Sequence, residues 1–240
     1  MKASLIIIGN EILSGRTQDK NLSYLATWLN EIGIQLSEVR VIRDEENEIV
    51  STVNLLKEKY DYVFTTGGIG PTHDDITTES IAKAFGVEIE VNNEALNILK
   101  EYYKDSELTD ARMKMAKIPK GAELVDNPVS KAPGFKIENV FVMAGIPKIM
   151  QGMLEGARKH LKSGDIVKSD FIDAYVPESY VAEELSAIQD NYPDVEIGSY
   201  PFTSPDGKYG TSLVMRSSNT SLMSQCNAEL QKMVEKLSSN

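Results

Sequence analysis

The sequence predicts an α/β protein: a three-layer α/β/α domain with a mostly parallel sheet over residues 1–163, then a small α+β domain over residues 164–240. Three observations lead there. Strand-like apolar runs alternate with helical patterns as far as residue 161, and such alternation gives right-handed crossovers with helices on both sheet faces. The Ser4–Ile8 run is continuous rather than alternating, as in a strand buried on both sides of a parallel sheet. A polar break, Lys162-Ser163-Gly164-Asp165, then precedes a different pattern.

After the first strand, Leu22, Leu25, Ala26, Leu29 and Ile32 recur at helical spacing, and Gly33 provides the stop. Leu36, Val39 and Val41 mark a β-rich stretch. Asp44 is placed to cap a helix carrying Ile49, Val53 and Leu56. Tyr62–Thr66 is a strand, and Ile76–Phe85 a helix. Helical stretches follow around Asn93–Lys104 and Thr109–Lys117, then a strand at Asn139–Met143 and a helix at Lys148–Leu161. Beyond the break, Phe171–Val176, Val195–Tyr200 and Thr211–Met215 read as strands, with Pro205-Asp206-Gly207 as a turn. Helices at Glu178–Gln189 and Ser221–Leu237 complete a β-α-β-β-α unit.

Bulk properties exclude several function classes. A net charge of −11 argues against nucleic acid or an anionic membrane as the main partner, because phosphate contacts need clustered Lys and Arg. The single Cys226 excludes a disulfide framework and a cysteine zinc site, and two histidines make a multi-histidine metal centre improbable. The early apolar run Leu5 to Ile8 is too short for a signal-peptide core, so the cytoplasm is the default compartment.

The chemistry concentrates in Thr65-Thr66-Gly67-Gly68-Ile69-Gly70-Pro71-Thr72-His73-Asp74-Asp75, between a strand and a helix. Gly67, Gly68 and Gly70 let backbone N–H groups approach a ligand, and the helix start favours an anion such as phosphate. Asp74 and Asp75 would repel that phosphate unless a cation lies between them. A hard divalent ion, Mg²⁺ or else Mn²⁺ or Co²⁺, resolves the conflict. The competing reading makes the glycines packing devices and one aspartate a helix cap; it leaves the second aspartate unexplained.

Thr66-Gly67-Gly68-Ile69-Gly70-Pro71-Thr72-His73-Asp74-Asp75-Ile76-Thr77 resembles the signature of the MoaB/Mog (molybdopterin-binding) domain, in the form seen in CinA-like competence/damage-inducible proteins. It is also similar to the N-terminal domain of eukaryotic FAD synthases. Gly9-Asn10-Glu11-Ile12-Leu13-Ser14-Gly15, Asn127-Pro128-Val129-Ser130-Lys131-Ala132-Pro133-Gly134-Phe135 and Gly145-Ile146-Pro147 agree in order. The last part of the chain resembles the middle domain of CinA-like proteins, and the deamidase domain of longer relatives is not expected within it. The sequence departs from the family pattern where Asn10 replaces Asp, where Ser130-Lys131 replaces Gly-Thr, and where Ile149 replaces a carboxylate.

The resemblance implies Asp75 and the loop glycines as functional positions; the repulsion between phosphate and the adjacent carboxylates makes Asp74 and Asp75 the candidate metal ligands and catalytic pair. The resemblance also implies a homo-oligomer, dimeric or trimeric, with apolar helix faces at the contact; the methionines around Met113–Met115 and Met150–Met153 read as core filler or as adaptable surface at that contact. Gly9-Asn10-Glu11, the signature loop and Ala144-Gly145-Ile146-Pro147 each follow a strand, so they can meet at one sheet edge. Thr72, Asn10, Glu11, Ser130, Lys131 and Gly145 are therefore candidate ligand contacts. Asn10 and Glu11 also fit a turn, and Lys131 an exposed surface position. Glu79 lies one turn beyond Asp75, with a solvated helix charge as its competing reading. His73 is a candidate donor or general acid, or else a turn-stabilising residue. Trp28 reads as packing, His160 as a partner of a helix C-terminal dipole, and Tyr102-Tyr103 as candidate pocket residues. Three functions fit: metal-dependent hydrolysis of a nucleotide diphosphate such as ADP-ribose or FAD, molybdopterin binding or adenylylation, and a non-catalytic ligand-binding module.

Overall fold

The computed structural model describes residues 1–238, which divide into two compact units, the first being Met1–Gly164 and the second starting at Asp165. In the first unit the chain runs through β1 (Lys2–Ile8), a single turn α1 (Asn10–Leu13), α2 (Asn21–Glu31), β2 (Gln35–Ile42), α3 (Glu46–Lys59), β3 (Tyr62–Thr66) and α4 (Thr77–Phe85). An excursion follows, made of β4 (Ile89–Val91), α5 (Asn93–Tyr102), α6 (Asp110–Lys114) and β5 (Lys117–Pro119). The chain then returns through β6 (Glu123–Val125), β7 (Gly134–Ile137), β8 (Val140–Met143) and α7 (Pro147–Ala157).

The main sheet has the order β2-β1-β3-β8-β7-β6. Its first four strands are parallel, whereas β7 runs antiparallel to both β8 and β6. Alternate residues of each strand face opposite cores, as the two-residue pleat requires. Leu5, Ile7, Phe64 and Phe141 pack with Leu25 and Leu29 of α2 and Met150 and Leu154 of α7. Ile6, Ile8, Val63 and Val142 meet Ile49, Val53 and Leu56 of α3 and Ile81 of α4. Each of these buried apolar side chains contributes about 1.5–3 kcal/mol. The result is the expected three-layer α/β/α arrangement.

The chain leaves β1 toward β2 on one side, then crosses back to place β3 on the other. Such a reversal opens a crevice beyond the carboxyl ends of the strands. Gly9, Gly67 and Ala144 are the first residues past β1, β3 and β8. The sequence motifs thus gather at one edge.

Several local expectations are corrected. Asp44 does not cap α3, which starts after Glu45 without a side-chain cap; its Oδ2 instead accepts the backbone N–H of Asn10 at 2.8 Å. Helix α4 begins at Thr77, so Asp74 and Asp75 occupy the turn ahead of it. Met150 and Met153 are buried in the core and offer no contact surface, whereas Met113 and Met115 are half-buried. His160 lies in a 3₁₀ turn, where its Nδ1 is 3.6 Å from Glu123 and burial lowers its pKa. Trp28, by contrast, packs in the core as expected, and donates its Nε1–H to Glu155 at 3.1 Å.

The second unit is β9 (Lys168–Ala174), α8 (Glu178–Asn191), β10 (Glu196–Thr203), β11 (Tyr209–Ser217) and α9 (Thr220–Ser238). Its antiparallel sheet has the order β10-β11-β9. Val181 and Ile188 of α8, with Cys226 and Leu230 of α9, cover Leu213 and Met215 on β11. The expected turn closes β10–β11, with Gly207 at φ 84° and Ser204 N–H donating to the Lys208 carbonyl at 2.8 Å. Among the described residues, no helix is long and apolar enough to cross a membrane.

Candidate functional site

A cavity of about 580 Å³ opens beyond the carboxyl ends of β1, β3 and β8. Of the candidate residues, Glu11, Gly67, Gly68, Gly70, Asp74, Asp75, Ser130 and Gly145 line it. Asn10, Thr72 and Lys131 do not, nor do His73 and Glu79. Asn10 adjoins the cavity through the bond from its N–H to Asp44. Glu79 faces Lys114, 3.8 Å away, and the imidazole of His73 is almost wholly in solvent.

The loop owes its shape to two glycines. Gly67 and Gly68 have φ of 105° and 68°, in the left-handed region where a side chain is strained. A Cβ on Gly67 would overlap the Ile8 carbonyl oxygen at the end of β1, and one on Gly68 would overlap Thr77 Oγ1. The close approach that excludes a side chain is therefore to the protein's own backbone and to Thr77. Thr77 Oγ1–H donates to the Gly67 carbonyl at 3.0 Å, and Thr77 N–H donates to the Gly68 carbonyl at 3.0 Å. These bonds tie the loop to the first residue of α4.

The adjacent carboxylates have different surroundings. Asp75 Oδ2 accepts the Thr72 N–H at 2.8 Å and also the Thr72 hydroxyl. A Cβ at Gly70 would come within 2.7 Å of that same oxygen, so the glycine leaves room for the carboxylate. Asp74 is exposed. The Thr72 hydroxyl, whose single proton it shares with Asp75, and then its own backbone N–H hold its carboxyl below the usual range, with His73 and Lys114 adding smaller electrostatic contributions. It is ionised at neutral pH.

Opposite this turn, Asn127 is buried and fully engaged. Its Nδ2 donates to Ser130 Oγ and to the Ala132 carbonyl, both at 2.7 Å, while Oδ1 accepts the Val129 and Ser130 N–H groups at 3.1 Å. Because Ser130 Oγ accepts from Asn127, its own O–H is free to donate to a ligand. Lys131, at φ 63°, turns the loop. Asn21 Nδ2 steadies the other wall by donating to the Gly145 carbonyl at 2.8 Å.

The lining combines two kinds of surface. Its charged side chains are Glu11, Asp44, Asp74 and Asp75, with no Lys or Arg. The remainder is largely apolar, including Ile69, Tyr103, Met115, Ile146, Ile149 and Met153. Tyr103 carries the Arg112 guanidinium 4.0 Å from its ring centroid. Sequence reasoning overlooked Asp44, although it follows β2 at the same sheet edge; that position was the available signal.

All four acidic groups offer hard oxygen donors, and neither histidine nor the cysteine lines the cavity. This chemistry fits Mg²⁺ or Mn²⁺ rather than a soft metal. Among the described residues, no group of three or more His, Cys, Asp or Glu converges closely enough to hold an ion alone. A cation here needs oxygens from a ligand or water, as Mg²⁺ commonly does when one or two carboxylates share it with substrate phosphates.

A family described as "Probable molybdopterin binding domain" matches residues 4–162, and one described as "FAD synthase, middle domain" matches residues 167–239. A protein from Archaeoglobus fulgidus is 35% identical over 201 residues, which cover 84% of this chain and 86% of that protein. Another, from Sulfurisphaera tokodaii, is 38% identical over 210 residues, covering 83% and 80% respectively. The solved structure of the protein CinA "with unknown function" from Thermoplasma acidophilum is 36% identical, with a TM-score of 0.63. That match covers 68% of this chain and 99% of the solved one.

Proposed function

Because the chain belongs to the MoaB/Mog (molybdopterin-binding) domain family in its CinA-like form, joined to a FAD synthase middle domain, we propose that its first unit binds a phosphorylated nucleotide or pterin and cleaves a pyrophosphate such as that of ADP-ribose or FAD. This reading requires a divalent cation, which Asp74 and Asp75 would hold. The observation that carries it is the lining itself: four carboxylates and no basic side chain, beside a largely apolar wall. Phosphate approaching such a surface is repelled, and a cation between them removes that repulsion.

In this reading Asp74 and Asp75 hold the ion, and Thr72 keeps Asp75 in place. Backbone N–H groups of Gly68, Ile69 and Gly70 and the Ser130 hydroxyl contact phosphate oxygens, the Gly67 N–H being taken by the Met143 carbonyl at 3.1 Å. Tyr103, Ile69 and Ile146 shield the ring from water. When bound, the ion supplies charge neutralisation and Lewis acidity at phosphorus. In the cleavage, a water oxygen bonds to one phosphorus while the bridging P–O bond breaks, its electron pair leaving with the other phosphate and the water proton passing to a carboxylate or solvent. ADP-ribose would give AMP and ribose 5-phosphate.

Two features favour a second, non-catalytic reading: Asn10 is neutral, and Ile149 in the lining is apolar. A panel of ADP-ribose, FAD, NADH and a molybdopterin precursor, each with Mg²⁺, Mn²⁺ or Co²⁺, tests the proposal. The expected result is slow cleavage of ADP-ribose or FAD that stops with chelator. Tight binding without cleavage would leave a binding module, and copurified pterin fluorescence would favour the molybdopterin reading. Assembly as a homo-oligomer completes the proposal, through surfaces other than Met150 and Met153.

A further inference from the structure

We infer that Lys114, at the end of α6, is a positioning residue that holds the Asp74–Asp75 turn in its ion-binding shape from outside the cavity. Its Nζ donates to the Asp75 carbonyl at 2.6 Å and to the Thr72 carbonyl at 3.1 Å, and lies 3.8 Å from Glu79. These two carbonyls bracket the turn, and Thr72 is also the residue whose N–H and hydroxyl hold the Asp75 carboxylate. One ammonium therefore fixes the backbone at both ends of the segment that carries both carboxylates.

The placement is informative because it is remote in sequence. Lys114 is 39 residues from Asp75, on an excursion that could have packed elsewhere. The lysine does not line the cavity, but its neighbour Met115 does. A cation inside the cavity would attract phosphate without help from metal; behind the turn, Lys114 offsets part of the carboxylate repulsion while leaving their oxygens free. Helix α6 thereby links the ligand wall, through Met115, to the geometry of the turn, through Lys114. Bonds from a charged donor are stronger than neutral ones, so losing two of them loosens the turn measurably.

The inference rests on the reading of the preceding subsection, and its test separates the two. Lys114→Met keeps the aliphatic stem and removes the charge, whereas Lys114→Arg keeps donors able to reach both carbonyls. In the ligand-free protein, Lys114→Met is expected to speed amide exchange at Thr72–Asp75 by about tenfold, with the melting temperature little changed. It should also weaken Mn²⁺ binding, measured with ADP-ribose present, by about tenfold, and Lys114→Arg should recover most of both effects. If the wild type binds Mn²⁺ and Lys114→Met binds it equally well, the inference falls while the functional reading stands. Unchanged exchange in the turn would also overturn it. A wild type that binds neither Mn²⁺ nor ADP-ribose would overturn the functional reading and this inference together.

Discussion

Replacing both turn carboxylates, as Asp74→Asn with Asp75→Asn, is expected to weaken divalent-dependent ligand binding by about a hundredfold or more and to abolish cleavage. The fold should survive. An asparagine at position 75 keeps an oxygen for the Thr72 donors, and Asp74 is exposed, so the variant loses charge without losing shape. Isothermal titration with Mn²⁺ and ADP-ribose measures the first effect, and thermal denaturation checks the second. The single variants should differ. Asp74→Asn removes a solvent-facing charge, whereas Asp75→Asn also weakens a hydrogen-bonded anchor. If the double variant bound metal and ligand as the wild type does, the two aspartates would be turn formers only.

Gly67→Ala is expected to be the most damaging single change for stability, costing about 3 kcal/mol or more. Its Cβ would overlap the Ile8 carbonyl oxygen at the end of the buried strand β1, and its φ of 105° is strained for alanine. Neither can relax without separating β1 from the loop. Chemical denaturation should show the loss with no ligand present. Gly68→Val would fail for a related reason, against Thr77, so lost ligand binding in that variant would not show contact with phosphate. An unchanged denaturation midpoint for Gly67→Ala would contradict this account of the loop.

The parallel core was legible because β1, β3 and β8 carry continuous apolar runs and β2 alternates over eight residues. Residues such as Leu5, Ile7, Val63 and Phe64 are buried on both faces of the sheet, and the glycine-rich turn after β3 marks the carboxyl edge where the next helix begins. Strands β4, β5, β6 and β7 were not legible. Each has only three or four residues, β5 ends on Pro119, and their pairing depends on distant partners rather than on local alternation. The site shows the same division. Glu11, the loop glycines and Asp74 and Asp75 could be read from positions after strands, because the carboxyl edge of a parallel sheet is set by topology. Asp44 was misread as a cap because its partner, Asn10, lies 34 residues earlier. Lys114 carried no local signal at all, since a lysine late in a short helix looks like a dipole partner until the tertiary fold brings it to Thr72 and Asp75.

The central claim is that phosphate enters an acidic cavity only with a divalent cation. Its most direct test is the affinity of the wild-type protein for ADP-ribose, measured by calorimetry in Mg²⁺ and again in excess chelator at the same ionic strength. The expected result is saturable binding in Mg²⁺ that falls by at least about tenfold with chelator, since four carboxylates then face the phosphates unscreened. Equal affinity in the two conditions would contradict the claim, because the lining holds no basic side chain to take the cation's place.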